Sequence, residues 1–452
     1  MPYTRRDFLK IGAAGAAGLA LAACTSGGSD SSGSEGVDLL FDWTYNGPPG
    51  QVRKYWTTVK SRLQEQDVGA QLNGVAEVPF ETLYSTVESQ SRAKSGADTV
   101  TWYSDYHTFR EYLRGNIVAL DGLVSSDAPD HWLLASSKFD GKNFGNPVVM
   151  EIGVLVVNRK LLEQANVEVE DEFESYDAFI EACDRLRAAG ITPIQAGTSD
   201  GFNAEKWLYF MQLQVCDDIT DLLNGISGDL SLDAPYFAFP REQLDIMINK
   251  YMNENPAGDT EEIASNQFLK GSAGMMLMYT YPIFTPNTPS EFDVVGFPRA
   301  PVKFNRPAVG TGDNVVVTSY SENQETAGRF LDFLNQPEQV QLWWELNRTL
   351  PANDQLDPNV LPPAGKRVWD LVTRRNEDIF SIWWPGNIPP NSLFTYQYGV
   401  TQNTFAGGTP DEARQETEQI FSEWRAQNPE ELDIVKEYAK ALSETAAAAS
   451  AE

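Results

Sequence analysis

The sequence predicts an α/β fold divided into two lobes. Short apolar, strand-like runs alternate with amphipathic helical spacing along most of the 452 residues, the pattern of βαβ units and of mostly parallel sheets covered on both faces. The ordered part, roughly 400 residues, exceeds what one hydrophobic core holds.

The elements follow in order. Val37–Trp43 is a short apolar strand, and Val52, Trp56, Val59 and Leu63 mark one helical face. Ala70–Val78 is strand-like, Phe80–Lys94 helical, Thr99–Tyr103 a strand and Tyr106–Arg114 a helix. A second set opens with the strand Val148–Asn158. Ser175 caps a helix over Tyr176–Ala189, Ile191–Ala196 is a strand and Ala204–Cys216 a helix. Arg241–Asn253 and Thr260–Leu269 are helical; Gly274–Tyr279, Phe292–Phe297 and Asn314–Thr318 are strands. Helices over Glu325–Asn335, Thr409–Gln427 and Glu430–Leu442 complete the chain, and 444–452 is expected to be a disordered tail.

Ahead of these elements stands an address. Thr4-Arg5-Arg6-Asp7-Phe8-Leu9-Lys10 precedes a small, apolar run from Ile11 to Ala23. Paired arginines before such a run read as a twin-arginine export signal, and the run is too short and glycine-rich to span a bilayer. Leu21-Ala22-Ala23-Cys24 predicts cleavage after residue 23 and a lipid on Cys24, which anchors the protein to the outer face of the cell membrane. Thr25–Gly36 holds only Thr, Ser, Gly, Asp and Glu, so 24–36 is a flexible tether with a reach of roughly 20 Å.

The formal net charge is −30, and removing 1–23 takes away Arg5, Arg6, Lys10 and Asp7, leaving −32. Lysine is scarce, 14 against 20 arginines, and the carboxylates are spread over the whole length. Such a surface suits a halophile, because molar salt screens the self-repulsion. A nucleic-acid partner is excluded, since no basic footprint exists. Three cysteines make no disulfide framework, and Cys183 and Cys216 are either two buried thiols or one bridge. With only His107 and His131, imidazole-based metal or triad chemistry lacks material, and no metal, cofactor or catalytic residue is expected.

Two stretches carry a family resemblance. Asn266-Gln267-Phe268-Leu269-Lys270-Gly271-Ser272-Ala273-Gly274-Met275-Met276 resembles the "F-x-x-G-x-A-A-M" segment of extracellular solute-binding proteins of the maltose- and glucose-binding type, with Tyr281 where the family places a cleft Trp. Gly310-Thr311-Gly312-Asp313-Asn314-Val315, followed by Ser321-Glu322-Asn323-Gln324-Glu325-Thr326-Ala327-Gly328-Arg329-Phe330-Leu331, is similar to the family's strand and "S-K-N-x-E-A-A-x-x-F" helix, with Glu322 replacing the usual Lys. The resemblance spans 37–443 and implies a periplasmic-binding-protein-like fold with a ligand cleft between discontinuous lobes. It divides the chain into 37–150 with 303–347 and 151–302 with 348–443, crossing near Met150–Val154 and Ala300–Thr311. It also implies a monomeric, lipid-anchored receptor of a haloarchaeal ABC sugar importer, which hands a small solute to the permease subunits.

The residues at strand ends agree. A sugar offers apolar C–H faces and a rim of hydroxyls, so aromatic plates beside polar groups complement it. Trp43 and Asn46 follow the first strand; Trp102, Ser104 and Asp105 end another, although Asp105 has the alternative of capping the helix opening at Tyr106. Glu151 sits at the first crossing, and Trp207 reads as helix core. The resemblance places an acidic contact at Asp313 and a basic one at Arg348; against the latter, Asn347-Arg348-Thr349 is a glycosylation sequon that would block the cleft role. Of Trp383 and Trp384, adjacent and so pointing apart, Trp384 is taken as the contact. The competing class is an exported, lipid-anchored carbohydrate hydrolase, which needs only paired carboxylates. No spaced pair stands out among the 64 acidic residues.

Overall fold

The computed structural model describes residues 36–42, 50–125, 137–199, 202–215, 220–279, 288–298, 308–310, 313–353, 355–373 and 399–449. Two large sheets organise them, as a two-lobed fold requires, and a separate two-stranded antiparallel pair, Lys138–Phe139 with Lys142–Asn143, accompanies them. In chain order the strands are β1 (Gly36–Asp42), β2 (Gln71–Val78), β3 (Thr99–Tyr103), β4 (Lys138–Phe139), β5 (Lys142–Asn143), β6 (Asn146–Pro147), β7 (Val149–Asn158), β8 (Thr192–Gln195), β9 (Ala273–Tyr279), β10 (Phe292–Val295), β11 (Ala308–Gly310), β12 (Asp313–Val317) and β13 (Leu350–Pro351). The first sheet runs β2-β1-β3-β12-β6 and the second β10-β7-β9-β8, with β11 and β13 also paired to β7.

The expectation of mostly parallel sheets is corrected here. In the first sheet β1 is parallel to β2 and β3, whereas β12 is antiparallel to both β3 and β6. In the second only β8 and β9 are parallel. The reason lies in connectivity. After β3 the chain builds the second sheet before returning, and β12 enters at the end where β3 finishes, so Asp313 pairs with Tyr103. No crossover helix is then needed, and an antiparallel pair forms.

Each strand splits its side chains between two cores, as period-2 alternation dictates. Val37, Leu39 and Phe41 join Val59, Leu63, Val315 and Phe330 under the helices Gln51–Gln66 and Gln324–Leu334. Leu40, Val100 and Trp102 face a larger core that continues through Leu155, Val157, Ile194 and Phe210 of the second lobe. Val154, Val156, Met276 and Trp344 fill the opposite face of the second sheet. Gly328 is required where its helix meets the loop at Leu123, since a Cβ there would lie 2.1 Å from the Leu123 carbonyl oxygen.

Helix termini follow local chemistry. Ser175 accepts from the Ala178 N–H, and Thr409 with Glu412 forms a complete capping box. The helix expected over Arg241–Asn253 instead spans Pro235–Lys250, because Pro235 at its first position is preset for a helical start. The helix expected over Ala204–Cys216 spans Phe202–Leu213. Helices Arg159–Gln164, Asp221–Ser227, Pro337–Asn347 and Pro363–Thr373 add to those expected. Residues 444–449, expected to be disordered, extend the helix Pro429–Ala449, as an alanine run favours.

Candidate functional site

The edge of the first sheet formed by the ends of its three central strands, not by an outer strand, gathers polar groups that a core does not need. β1 ends at Asp42, β3 ends at Tyr103, and β12 begins at Asp313 directly opposite Tyr103. The Tyr103 hydroxyl donates to an Asp42 carboxylate oxygen at 2.9 Å, and Asp42 itself is buried. Burial first, then the negative charges of Asp42 and Asp313, hold the Tyr103 phenol well above its usual range. It therefore stays a hydrogen-bond donor at any physiological pH.

Aromatic rings back this edge. Tyr84 stacks on Tyr103 at 5.9 Å and meets Trp102 edge-on at 5.0 Å. The Tyr84 hydroxyl lies 2.7 Å from an imidazole nitrogen of His107. Burial and the nearby Arg110 guanidinium push His107 well below its ordinary range, so the ring is neutral. The edge thus gathers two carboxylates and a phenol among rings, with the neutral imidazole of His107 buried behind them against Tyr84, a set suited to hydroxyl groups and C–H faces and poorly suited to anions.

Of the residues expected at a site, the structure brings Asp313 to this edge, half-buried, and Trp102, Ser104 and Asp105 next to it. Trp102 is only 2% exposed and joins the core; its indole N–H has no partner among the described residues. Asp105 is buried and opens the helix Tyr106–Leu113 without a side-chain cap bond, at φ 61° and ψ −128°, outside the left-handed helical region and favourable only for glycine. Glu151 pairs with Gly310 on β7. Arg348 ends the helix Pro337–Asn347 at φ 59° and lies over the Trp344 ring, 5.5 Å from its centre. Asn347 is wholly buried, which leaves its amide no access for a glycan. Trp207 is core, as expected, and Cys183 is a free, buried thiol pushed far up by desolvation. Cys24, Trp43, Asn46, Cys216, Tyr281, Trp383 and Trp384 lie outside the described residues.

Sequence reasoning passed over Asp42, Tyr84, Tyr103 and His107. Tyr103 had a signal, since it ends the same strand as Trp102 on the opposite face. Tyr84 and His107 meet across 23 residues, and no local pattern announces that.

A cavity of about 1230 Å³ lined by described residues lies elsewhere and shares none of its lining with this edge. It runs along Arg159, residues 166–174 and the helix Tyr176–Ala188, and its arginines are already engaged. Arg159 donates to the Val169 and Glu170 carbonyls and to Asp293, and Arg185 to the Asn166 carbonyl and Glu181.

Comparison with known proteins follows this geometry. The family profile described as bacterial extracellular solute-binding protein matches residues 50–341, and that of the twin-arginine translocation signal sequence matches residues 2–22. A Brucella abortus (strain 2308) protein whose name calls it a binding protein is 23% identical over 314 residues, 67% of this chain and 73% of its own length. Among solved structures, the bacterial solute receptor AcbH, described as preferring β-D-galactopyranose, aligns with a TM-score of 0.72 at 14% identity, covering 86% of this chain and 97% of that one. A chitin oligosaccharide binding protein gives 0.69 at 16% identity over 87% and 99%. The GacH receptor of Streptomyces glaucescens, solved unliganded and with acarbose, gives 0.62 at 18% over 89% and 99%.

Proposed function

The chain belongs to the bacterial extracellular solute-binding proteins, and on that premise we propose that it captures a sugar between its two lobes and presents it to the permease subunits of an ABC importer. The twin-arginine signal places its work outside the cytoplasm. Family membership displaces the hydrolase alternative. The observation that carries the sugar reading is the Tyr103–Asp42 hydrogen bond beside Asp313 at an aromatic-backed sheet edge: with its one proton given to Asp42, the phenol presents an accepting oxygen, and such an acceptor beside carboxylates matches the O–H donors of vicinal hydroxyls.

Around that edge we place Asp313, Asn46 and Glu151 as polar contacts and Trp43, Tyr281 and Trp384 as ring plates, with Ser104 and Asp105 shaping the loop and Trp102 supporting it as packing. Arg348 reaches the solute only if it leaves the Trp344 ring. The lobes divide as 37–150 with 303–347 and 151–302 with 348–443. Anchoring by a lipid on Cys24, a monomeric state and a saline, haloarchaeal habitat belong to the same reading. The even acidity supports the last of these, and the Leu21-Ala22-Ala23-Cys24 sequence the first.

Titration calorimetry in molar salt with neutral mono- and oligosaccharides tests it. One-to-one saturable binding, with the sugar recovered unchanged, is the expected result. Consumption of the sugar, or no binding while amino acids or peptides bind, would contradict it.

A further inference from the structure

The helix Tyr106–Leu113 starts directly after the edge residues Tyr103, Ser104 and Asp105, and its His107 meets Tyr84. Its residues Tyr106 and Arg110, one turn apart and so on one face, meet the C-terminal helix Pro429–Ala449 instead. The Tyr106 hydroxyl donates to Glu431 at 2.9 Å, Arg110 Nε donates to the same carboxylate at 3.1 Å, and Arg114 donates to it as well. Arg110 Nη1 donates to Glu111 at 2.7 Å, and Glu111 accepts from Asn116 Nδ2 at 2.7 Å. Two guanidiniums thus balance two carboxylates in a largely desolvated place, the Arg110, Glu111 and Glu431 side chains being 10%, 4% and 13% exposed. Two turns beyond Glu431, Tyr438 packs on Tyr106 at 5.7 Å and Phe109 at 4.9 Å.

The same C-terminal helix also packs on the helix Asp221–Ser227, so it touches elements that follow the first sheet and elements of the second lobe. A helix shared by two lobes must slip or tilt when they close, and a buried charge cluster on it weights one arrangement over the other. Salt screens such a desolvated cluster far less than it screens surface charge.

We propose that Glu431 is a positioning residue: by holding Tyr106, Arg110 and Arg114 it fixes the helix that leads from the solute edge onto the C-terminal helix, and so sets how far the lobes stand open before solute arrives. The proposal rests on reading the edge of Asp42, Tyr103 and Asp313 as the solute site.

Glu431→Gln keeps the side chain's shape and leaves both arginines facing a neutral amide. Small-angle scattering of the unliganded protein in molar salt should show a larger radius of gyration than the wild type. Hydrogen exchange should quicken about tenfold or more in both 429–449 and 103–113, the scale of a lost charged hydrogen bond. Tyr106→Phe, which deletes one hydroxyl, should shift both readouts the same way by less, and it serves if Glu431→Gln does not fold. Faster exchange confined to the C-terminal helix, with unchanged scattering, would overturn the proposal. Solute affinity separates the two readings: if scattering and exchange respond while affinity does not, the tie between the lobes stands and the edge reading fails.

Discussion

The cavity of about 1230 Å³ and the aromatic sheet edge make different use of charge. The cavity along residues 166–174 is wide and lined by carboxylates, and its arginines act as straps, holding backbone carbonyls of the loop that forms its wall. At the edge, a buried carboxylate accepts from a phenol that burial and the charges of Asp42 and Asp313 keep protonated. Volume therefore points to one region, and polar groups buried among aromatic rings to the other. Desolvated groups with hydrogen-bonding capacity toward one side are what a small solute requires, and open acidic space is what any part of a chain carrying −30 provides.

The coarsest way to strain this comparison is to remove salt, since both regions share the chain's acid. Dialysis from molar NaCl or KCl to about 0.1 M should lower the unfolding temperature by about 10 °C or more, as surface carboxylates are unmasked while the buried edge is little affected. A melting point indifferent to salt would remove the halophile reading. A sharper cut is Arg159→Met, which deletes the strap to the Val169 and Glu170 carbonyls and the pair with Asp293. Calorimetric unfolding should show a loss of about 2 kcal/mol with solute affinity unchanged. Affinity falling in step with stability would make the cavity part of the site.

A smaller effect separates the regions by pH. His107 is held neutral in the folded edge by burial and Arg110, whereas the unfolded chain takes up a proton below about pH 6.5. The unfolded state then binds the extra proton, so stability falls as pH drops below that value, by at most about 1.4 kcal/mol per pH unit from this residue. Denaturant titrations at stepped pH should show His107→Gln losing that part of the slope. An identical slope in the variant would mean that His107 is charged in the fold.

The four longer strands of the first sheet were readable because their apolar runs are bounded by polar residues, and Thr99–Tyr103 has the same limits in sequence and structure, whereas the two-residue Asn146–Pro147 carries no such run. Asp313 was readable as the residue between a glycine-rich turn and a strand. The direction of β12 was not, because strand polarity depends on where the chain has been and not on its composition. The helix Pro337–Asn347 escaped because Gln339, Val340, Leu342, Trp343, Trp344 and Asn347 are buried on several faces, which blurs a one-sided stripe. Trp102 was singled out by residue type, while its neighbour Tyr103 makes the bond to Asp42 and Trp102 enters the core. The meeting of Tyr84 with His107 and the cluster of Arg110 with Glu431 are products of tertiary folding, 23 and 321 residues apart in sequence.

The central claim is that solute binds at the edge of Asp42, Tyr103 and Asp313. It is tested most directly by titrating, in molar salt, the solute identified by mass spectrometry of native protein into the wild type, Tyr103→Phe, Asp313→Asn and the cavity variant Glu168→Gln. The two edge variants should bind about tenfold or more weakly with little change in the melting point of the unliganded protein, the scale of a lost charge-assisted hydrogen bond. Glu168→Gln should bind as the wild type does. Full affinity in both edge variants, with binding lost in Glu168→Gln, would contradict the account.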